Sequence, residues 1–218
     1  SKTGTISDNT ITSGKDKGIA INSVKCKMTI SGNTIKKCKA YPIYCNPAST
    51  SYAITLKKNI ITGNSKKIDG IRADSGKLIL SSNTISSCSR AIILSSKVKG
   101  TVYPNTFKKN TYNNVKVNSS YVNTLTVKSL SGKSKSAKTA TLNWKKLSSA
   151  SGYVVYRSAS KNGSYTKIST IKKNKTITYK DSKLKRKSTY YYKIVPYTTI
   201  GKTTVYGLDS KIVSIKIK

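Results

Sequence analysis

Five short segments repeat one pattern: an apolar residue, two residues, Asn, one residue, then Ile or Phe. They are Ile6-Ser-Asp-Asn9-Thr-Ile11, Ile30-Ser-Gly-Asn33-Thr-Ile35, Leu56-Lys-Lys-Asn59-Ile-Ile61, Leu80-Ser-Ser-Asn83-Thr-Ile85 and Val102-Tyr-Pro-Asn105-Thr-Phe107, with Asn-to-Asn steps of 24, 26, 24 and 22 residues. A period of this size marks a solenoid, in which each turn buries its apolar face only by stacking on its neighbours. The other apolar residues obey the same count. Gly4, Met28, Ile54, Leu78 and Gly100 lie five before each Asn, and Ile19, Ile43, Ile71, Ile92 and Val115 lie about ten after it. Apolar and polar residues alternate within each piece, as in a strand. Each turn therefore reads as two or three short strands, pairing in parallel with their counterparts one turn away.

The repeat Asn is expected at a bend, because Asn tolerates a left-handed backbone. Stacked Asn amides are also expected to hydrogen-bond along the ladder. Over residues 1–118 the Asn-x-Ile repeat resembles the right-handed parallel β-helix family, the fold of pectate lyases and many surface proteins. The turn after Asn59 is longer than its neighbours, and Asn64 to Gly70 reads as an outward loop. The chain opens directly on a repeat, as the C-terminal part of a longer protein would.

From residue 119 onward the repeat Asn disappears. Thr139–Trp144, Gly152–Arg157, Tyr165–Ile168, Thr176–Tyr179, Tyr190–Ile194 and Ile212–Ile217 read as strands, and Asn162-Gly163 predicts a tight hairpin. About seven strands in this length suggest an Ig-like sandwich. Trp144 on the second strand, and Leu184 followed six residues later by Tyr190, resemble a fibronectin type III module. The resemblance makes Trp144 a core residue and Tyr190 the tyrosine-corner residue. The expected chain is thus all-β: a short parallel β-helix over 1–118 joined to a fibronectin type III-like sandwich over 119–218. The segments Tyr153-Val-Val-Tyr-Arg-Ser and Gly163-Ser-Tyr-Thr-Lys-Ile resemble fibronectin-type modules of secreted proteins from Gram-positive anaerobes.

Charge restricts the partners. The chain has 42 Lys and Arg against 6 Asp, no Glu and no His, for a net charge of +36. The excess is spread along its length, +16 over residues 1–120 and +20 over 121–218. Such a surface attracts polyanions. No apolar run is long enough to cross a membrane as a helix. The four cysteines read as small apolar fillers of the inner layer. Cys38 and Cys88 sit two turns apart, about 10 Å, too far for a disulfide. Cys26 and Cys45 remain the one alternative pairing. No zinc-like spacing occurs, so no metal and no cofactor are expected.

Catalysis has few parts to work with. Without His or Glu, a Ser-His-Asp triad and a Cys-His pair are excluded. Asp69, Arg72 and Asp74, beside Lys57, Lys58, Lys66 and Lys67, form the one compact set in the solenoid. By resemblance to β-helix polysaccharide lyases they are candidates for a uronate-lyase site; the alternative is a loop salt bridge among solvated lysines. For polyanion binding the candidates are Lys36, Lys37, Lys108 and Lys109, at equivalent places three turns apart, and the denser groups Lys172, Lys173, Lys175 and Lys183, Lys185, Arg186, Lys187. The expected role is a non-catalytic spacer and adhesion region, secreted or on the bacterial surface. Its partners would be anionic polysaccharide, teichoic acid or host glycan. Nucleic acid is expected to bind only non-specifically, because Arg, which makes most base-specific contacts, is scarce. The chain is expected to be monomeric. Two alternatives are the accessory end of a β-helix polysaccharide lyase and a secreted fibronectin-type ligand for a host receptor.

Overall fold

The computed structural model describes residues 2–22, 25–47, 49–64 and 67–218. The chain divides into two compact units, residues 1–123 with 199–205, and residues 124–198 with 206–218. All regular structure among the described residues is β.

The first unit is a five-turn right-handed parallel β-helix with three sheets. The strands Thr3–Ser7, Lys27–Ser31, Ala53–Lys57, Gly76–Ser81 and Val98–Val102 pair in parallel as the first sheet. Thr10–Thr12, Thr34–Lys36, Ile60–Thr62, Thr84–Ser86 and Thr106–Lys108 form the second. Ile19–Asn22, Ile43–Asn46, Ile71–Ala73, Arg90–Leu94 and Tyr112–Val117 form the third, with Ser120–Val122 antiparallel at its end. The register is the one the repeat dictates: Ile30 stacks on Leu56 and Leu56 on Leu80, Ile35 on Ile61 and Ile61 on Ile85, and all are fully buried. Each such side chain contributes about 1.5–3 kcal/mol by leaving water. Residues 199–205 complete the unit: Thr101 and Val102 pair in parallel with Thr204 and Val205.

The repeat Asn forms the expected ladder. Asn9 donates to Asn33, Asn33 to Asn59, Asn59 to Asn83 and Asn83 to Asn105, each from Nδ2 to Oδ1 at 2.9–3.0 Å. The left-handed bend, however, is not at Asn. It falls on the preceding residue: Asp8, Gly32, Lys58 and Ser82 have φ of 55–67°. A second left-handed row lies four after Asn, at Ser13, Lys37, Ser87 and Lys109. Asn is required for an amide inside the tube, and the neighbour outside it absorbs the turn. Of the long loop after Asn59, Ser65 and Lys66 lie outside the described residues.

All four cysteines are free, with Cys38, Cys45 and Cys88 buried in the inner layer and no Cys26–Cys45 bond.

The second unit contains a three-stranded sheet, Leu130–Lys133, Ala140–Trp144 and Thr178–Asp181. Its other sheet places Gly152–Ser158 between Thr166–Ile171 and Thr189–Ile200, with Val213–Lys216 beside the latter. This is the fibronectin type III-like arrangement. Trp144 meets Tyr153 edge-on at 5.3 Å in a core with Leu142, Tyr192 and Ile194. The hydroxyl of Tyr190 accepts the Lys185 N–H at 3.3 Å, the tyrosine-corner contact. The tight hairpin expected at Asn162-Gly163 is instead a wider connection between Ser158 and Thr166. The Ser158 hydroxyl, which accepts the Ser160 N–H at 3.2 Å, and a Gly163-to-Ser160 backbone bond build its turn.

Candidate polyanion-binding surface

Lys36 and Lys108 end equivalent strands of the second sheet. The register runs Thr12, Lys36, Thr62, Ser86, Lys108, so the two lysines stand three rungs apart, about 14 Å. Lys37 and Lys109 follow in the left-handed row, and all four are exposed. The hydroxyls of Ser86 and Thr62 lie between the two charges, 3.4 Å apart. None of these lysines forms an ion pair among the described residues.

Lys172, Lys173 and Lys175 are exposed on the loop between Thr166–Ile171 and Thr178–Asp181. Lys183, Lys185, Arg186 and Lys187 occupy the next loop, and here the structure gathers charge. Leu184 is buried and its N–H donates to Lys138 O at 3.0 Å, which pins the loop against a residue far away in sequence. The result is an open depression of about 650 Å³ lined by Lys138, Lys183, Leu184, Lys185 and Arg186. Lys138, Lys183 and Lys187 all have left-handed backbones, with φ of 59°, 61° and 61°. Lys138 is the member that sequence reasoning missed, since nothing local marks it. Lys172, Lys173 and Lys175 do not line the depression.

The structure brings Arg72 and Asp74 together. Arg72 Nε donates to Asp74 Oδ1 at 3.0 Å, Arg72 Nη1 donates to the Tyr41 hydroxyl at 3.0 Å, and the Tyr44 hydroxyl donates to Asp74 Oδ2 at 2.9 Å. The guanidinium and the carboxylate thus brace one another. Asp69 is engaged elsewhere, accepting the Arg90 N–H at 3.2 Å. Burial pushes its carboxyl above the usual range, against the pull of that hydrogen bond and of the nearby Arg90, Arg72 and Lys116 charges.

A family described as periplasmic copper-binding protein (NosD) matches residues 1–141. The donor set of this chain does not fit copper. Copper sites draw on imidazole, thiolate and thioether ligands. There is no His, and the single Met, Met28, accepts a hydrogen bond from the Cys26 thiol at 3.6 Å with no third ligand among the described residues. The other cysteines are buried, and no group of three His, Cys, Asp or Glu occurs among the described residues. No curated protein matches the chain. Among solved structures it is similar to an Fn3-like protein from Clostridium thermocellum, at 29% identity over 41% of this chain and 88% of that one, with TM-score 0.36. It is also similar to the chicken CNTN1 FN1–FN3 domains, at 17% identity over 48% and 35%, with TM-score 0.39. A β-1,2-glucanase from Parabacteroides distasonis matches at 17% identity over 44% and 12%, with TM-score 0.35. The family is described as periplasmic, which agrees with a location outside the cytoplasmic membrane. With its whole parallel β-helix inside the matched region, the chain belongs to the NosD family.

Proposed function

We propose that the chain is a non-catalytic binding and spacer region of a secreted or surface-attached protein, and that it holds anionic glycans or cell-wall polymers on its basic surface. The carrying observation is the depression lined by Lys138, Lys183, Lys185 and Arg186, four cations with no carboxylate among them. Like charges gathered this closely repel one another, and a polyanion relieves the repulsion. The lysine edge of the solenoid, with Lys36 and Lys108 in one column, offers a second line of charge.

The test is binding to teichoic acid, polygalacturonate and heparin at about 0.05 M and about 0.3 M salt, for the parent and for a Lys183→Ser, Lys185→Ser, Arg186→Ser variant. The expected result is several-fold weaker low-salt binding by the variant. Equal binding by parent and variant would move the site elsewhere, and no binding to any polymer at low salt would end the reading.

A further inference from the structure

We propose that the edge strand Thr166–Ile171 of the sandwich takes up an extended polypeptide segment of alternating acidic and aliphatic residues, as one more strand of its sheet. This inference goes beyond the glycan reading, because the ligand is a polypeptide and the site lies off the basic depression.

Topology supplies the main-chain groups. Thr166–Ile171 pairs on one side with Gly152–Ser158 and ends its sheet, with no strand on its other side among the described residues. Its six residues expose a row of N–H and C=O groups about 20 Å long, the template for strand addition. The edge strand of the facing sheet, Leu130–Lys133, is closed by comparison. Gly132 there lies so near Ile215 that a Cβ would stand 2.5 Å from it.

Packing supplies the apolar contact. The Trp144 N–H donates to Ile177 O at 3.0 Å, so the ladder between Ala140–Trp144 and Thr178–Asp181 continues to Ile177. Alternation puts Ile177 on the same face as Tyr179 and the buried Asp181, the face turned to the core. Its partner Trp144 is 4% exposed, yet Ile177 is 40% exposed. An aliphatic residue on the inner face of the sheet thus lacks a cover. Ile168 and Ile171 of the edge strand are likewise only partly buried against the core. A strand added beyond Thr166–Ile171 would turn every second side chain toward this uncovered row.

Charge decides which strand is taken. Lys167, Lys172, Lys173 and Lys175 are exposed along the edge and the loop that follows it, and none forms an ion pair among the described residues. No acid occurs from residue 160 to 180, and Asp181 is buried with Arg157 and Tyr192. The loop is fixed in place: the Tyr153 hydroxyl donates to Asn174 O at 3.3 Å, and the Thr176 N–H donates to Lys173 O at 3.1 Å. Lysines on an edge exclude a second copy of the same strand, because like charges would face one another. The register shift between Val155 and Tyr156, which skips Ile168, bends the edge and acts in the same sense. Neither device excludes an acidic strand, whose carboxylates would meet the lysines.

The experiment uses the full chain and a soluble peptide alternating Glu and Val. The controls are the same peptide N-methylated at every amide and a peptide alternating Lys and Val. At about 0.3 M salt, the N-methylated peptide is expected to bind about tenfold more weakly, because it keeps the charge and loses the main-chain bonds. Hydrogen exchange at Thr166–Ile171 should slow in the complex, and exchange at Leu130–Lys133 should not. Lys167→Glu, Lys172→Glu, Lys173→Glu should lose about tenfold for the Glu–Val peptide and gain the Lys–Val peptide. Ile177→Ser should lose several-fold. Thermal melting reports whether each variant is folded. Equal binding of the N-methylated peptide, or no slowing of exchange at Thr166–Ile171, would overturn the strand addition. So would loss of the peptide by the Lys183→Ser, Lys185→Ser, Arg186→Ser variant, which is expected to bind it like the parent. The glycan reading is tested by that variant on polymers, so the two stand or fall separately.

Discussion

Asn59 donates from Nδ2 to Asn83 Oδ1 at 2.9 Å, one turn along the solenoid, and both side chains are fully buried. The same Nδ2 donates to Ile30 O, while Asn59 Oδ1 accepts from both the N–H and the Nδ2 of Asn33. Asn59→Ala would leave those groups unpaired in an apolar interior. We expect a loss of about 2–4 kcal/mol, read as a lowered melting temperature. Asn9→Ala, at the exposed first rung, should cost under about 1 kcal/mol. Equal effects at the two positions would mean that the ladder is not stabilised by burial.

Asp181 plays the corresponding part in the sandwich. Its Oδ2 accepts from Arg157 Nη1 at 3.0 Å and from the buried Tyr192 hydroxyl at 2.9 Å. Burial, reinforced by Asp181, pushes the Tyr192 phenol far above its ordinary pKa. Asp181→Ala should cost about 3 kcal/mol by stranding a cation and a hydroxyl, and Tyr192→Phe about 1 kcal/mol. The fluorescence of Trp144, the only Trp, follows unfolding of this unit. A double variant whose loss is the simple sum of the two would show that the residues do not act together.

The raised pKa of Asp69 makes a signed prediction. Folding favours its protonated form, so stability contributed at low pH is lost as pH rises through the carboxylate range. Asp69→Asn keeps an acceptor for the Arg90 N–H and removes the buried charge. Parent and variant should melt alike near about pH 3, and the variant should melt higher near about pH 7. A variant less stable than the parent at neutral pH would mean that the surrounding cations outweigh desolvation.

The thiols differ in access. Cys38, Cys45 and Cys88 are fully buried, and burial pushes the last two up to about 12, whereas Cys26 is partly exposed. Only the thiolate reacts. Iodoacetamide should therefore label Cys26 in the folded chain and all four cysteines after denaturation, as counted by mass. Native labelling of Cys45 or Cys88 would show that the solenoid opens readily.

The repeat itself determined the solenoid. A fixed count from Asn places Ile30, Leu56 and Leu80 in one column, and parallel stacking permits only that register. Trp144, Leu184 and Tyr190 likewise marked the sandwich, because its core and corner require those residue types at those places. What the tertiary structure alone decided lies off the periodic positions. The left-handed bend falls on Asp8, Gly32, Lys58 and Ser82 because the neighbouring Asn is held inside the tube by its amide bonds. Lys138 joins Lys183, Lys185 and Arg186 only because the buried Leu184 closes the loop onto it. Tyr112 and Tyr121 meet Arg90 and Lys116 only once the third sheet is assembled. Periodic apolar residues encode which strands stack. Which polar side chains then meet outside depends on loop closure and rung register, and no local pattern in the chain records either.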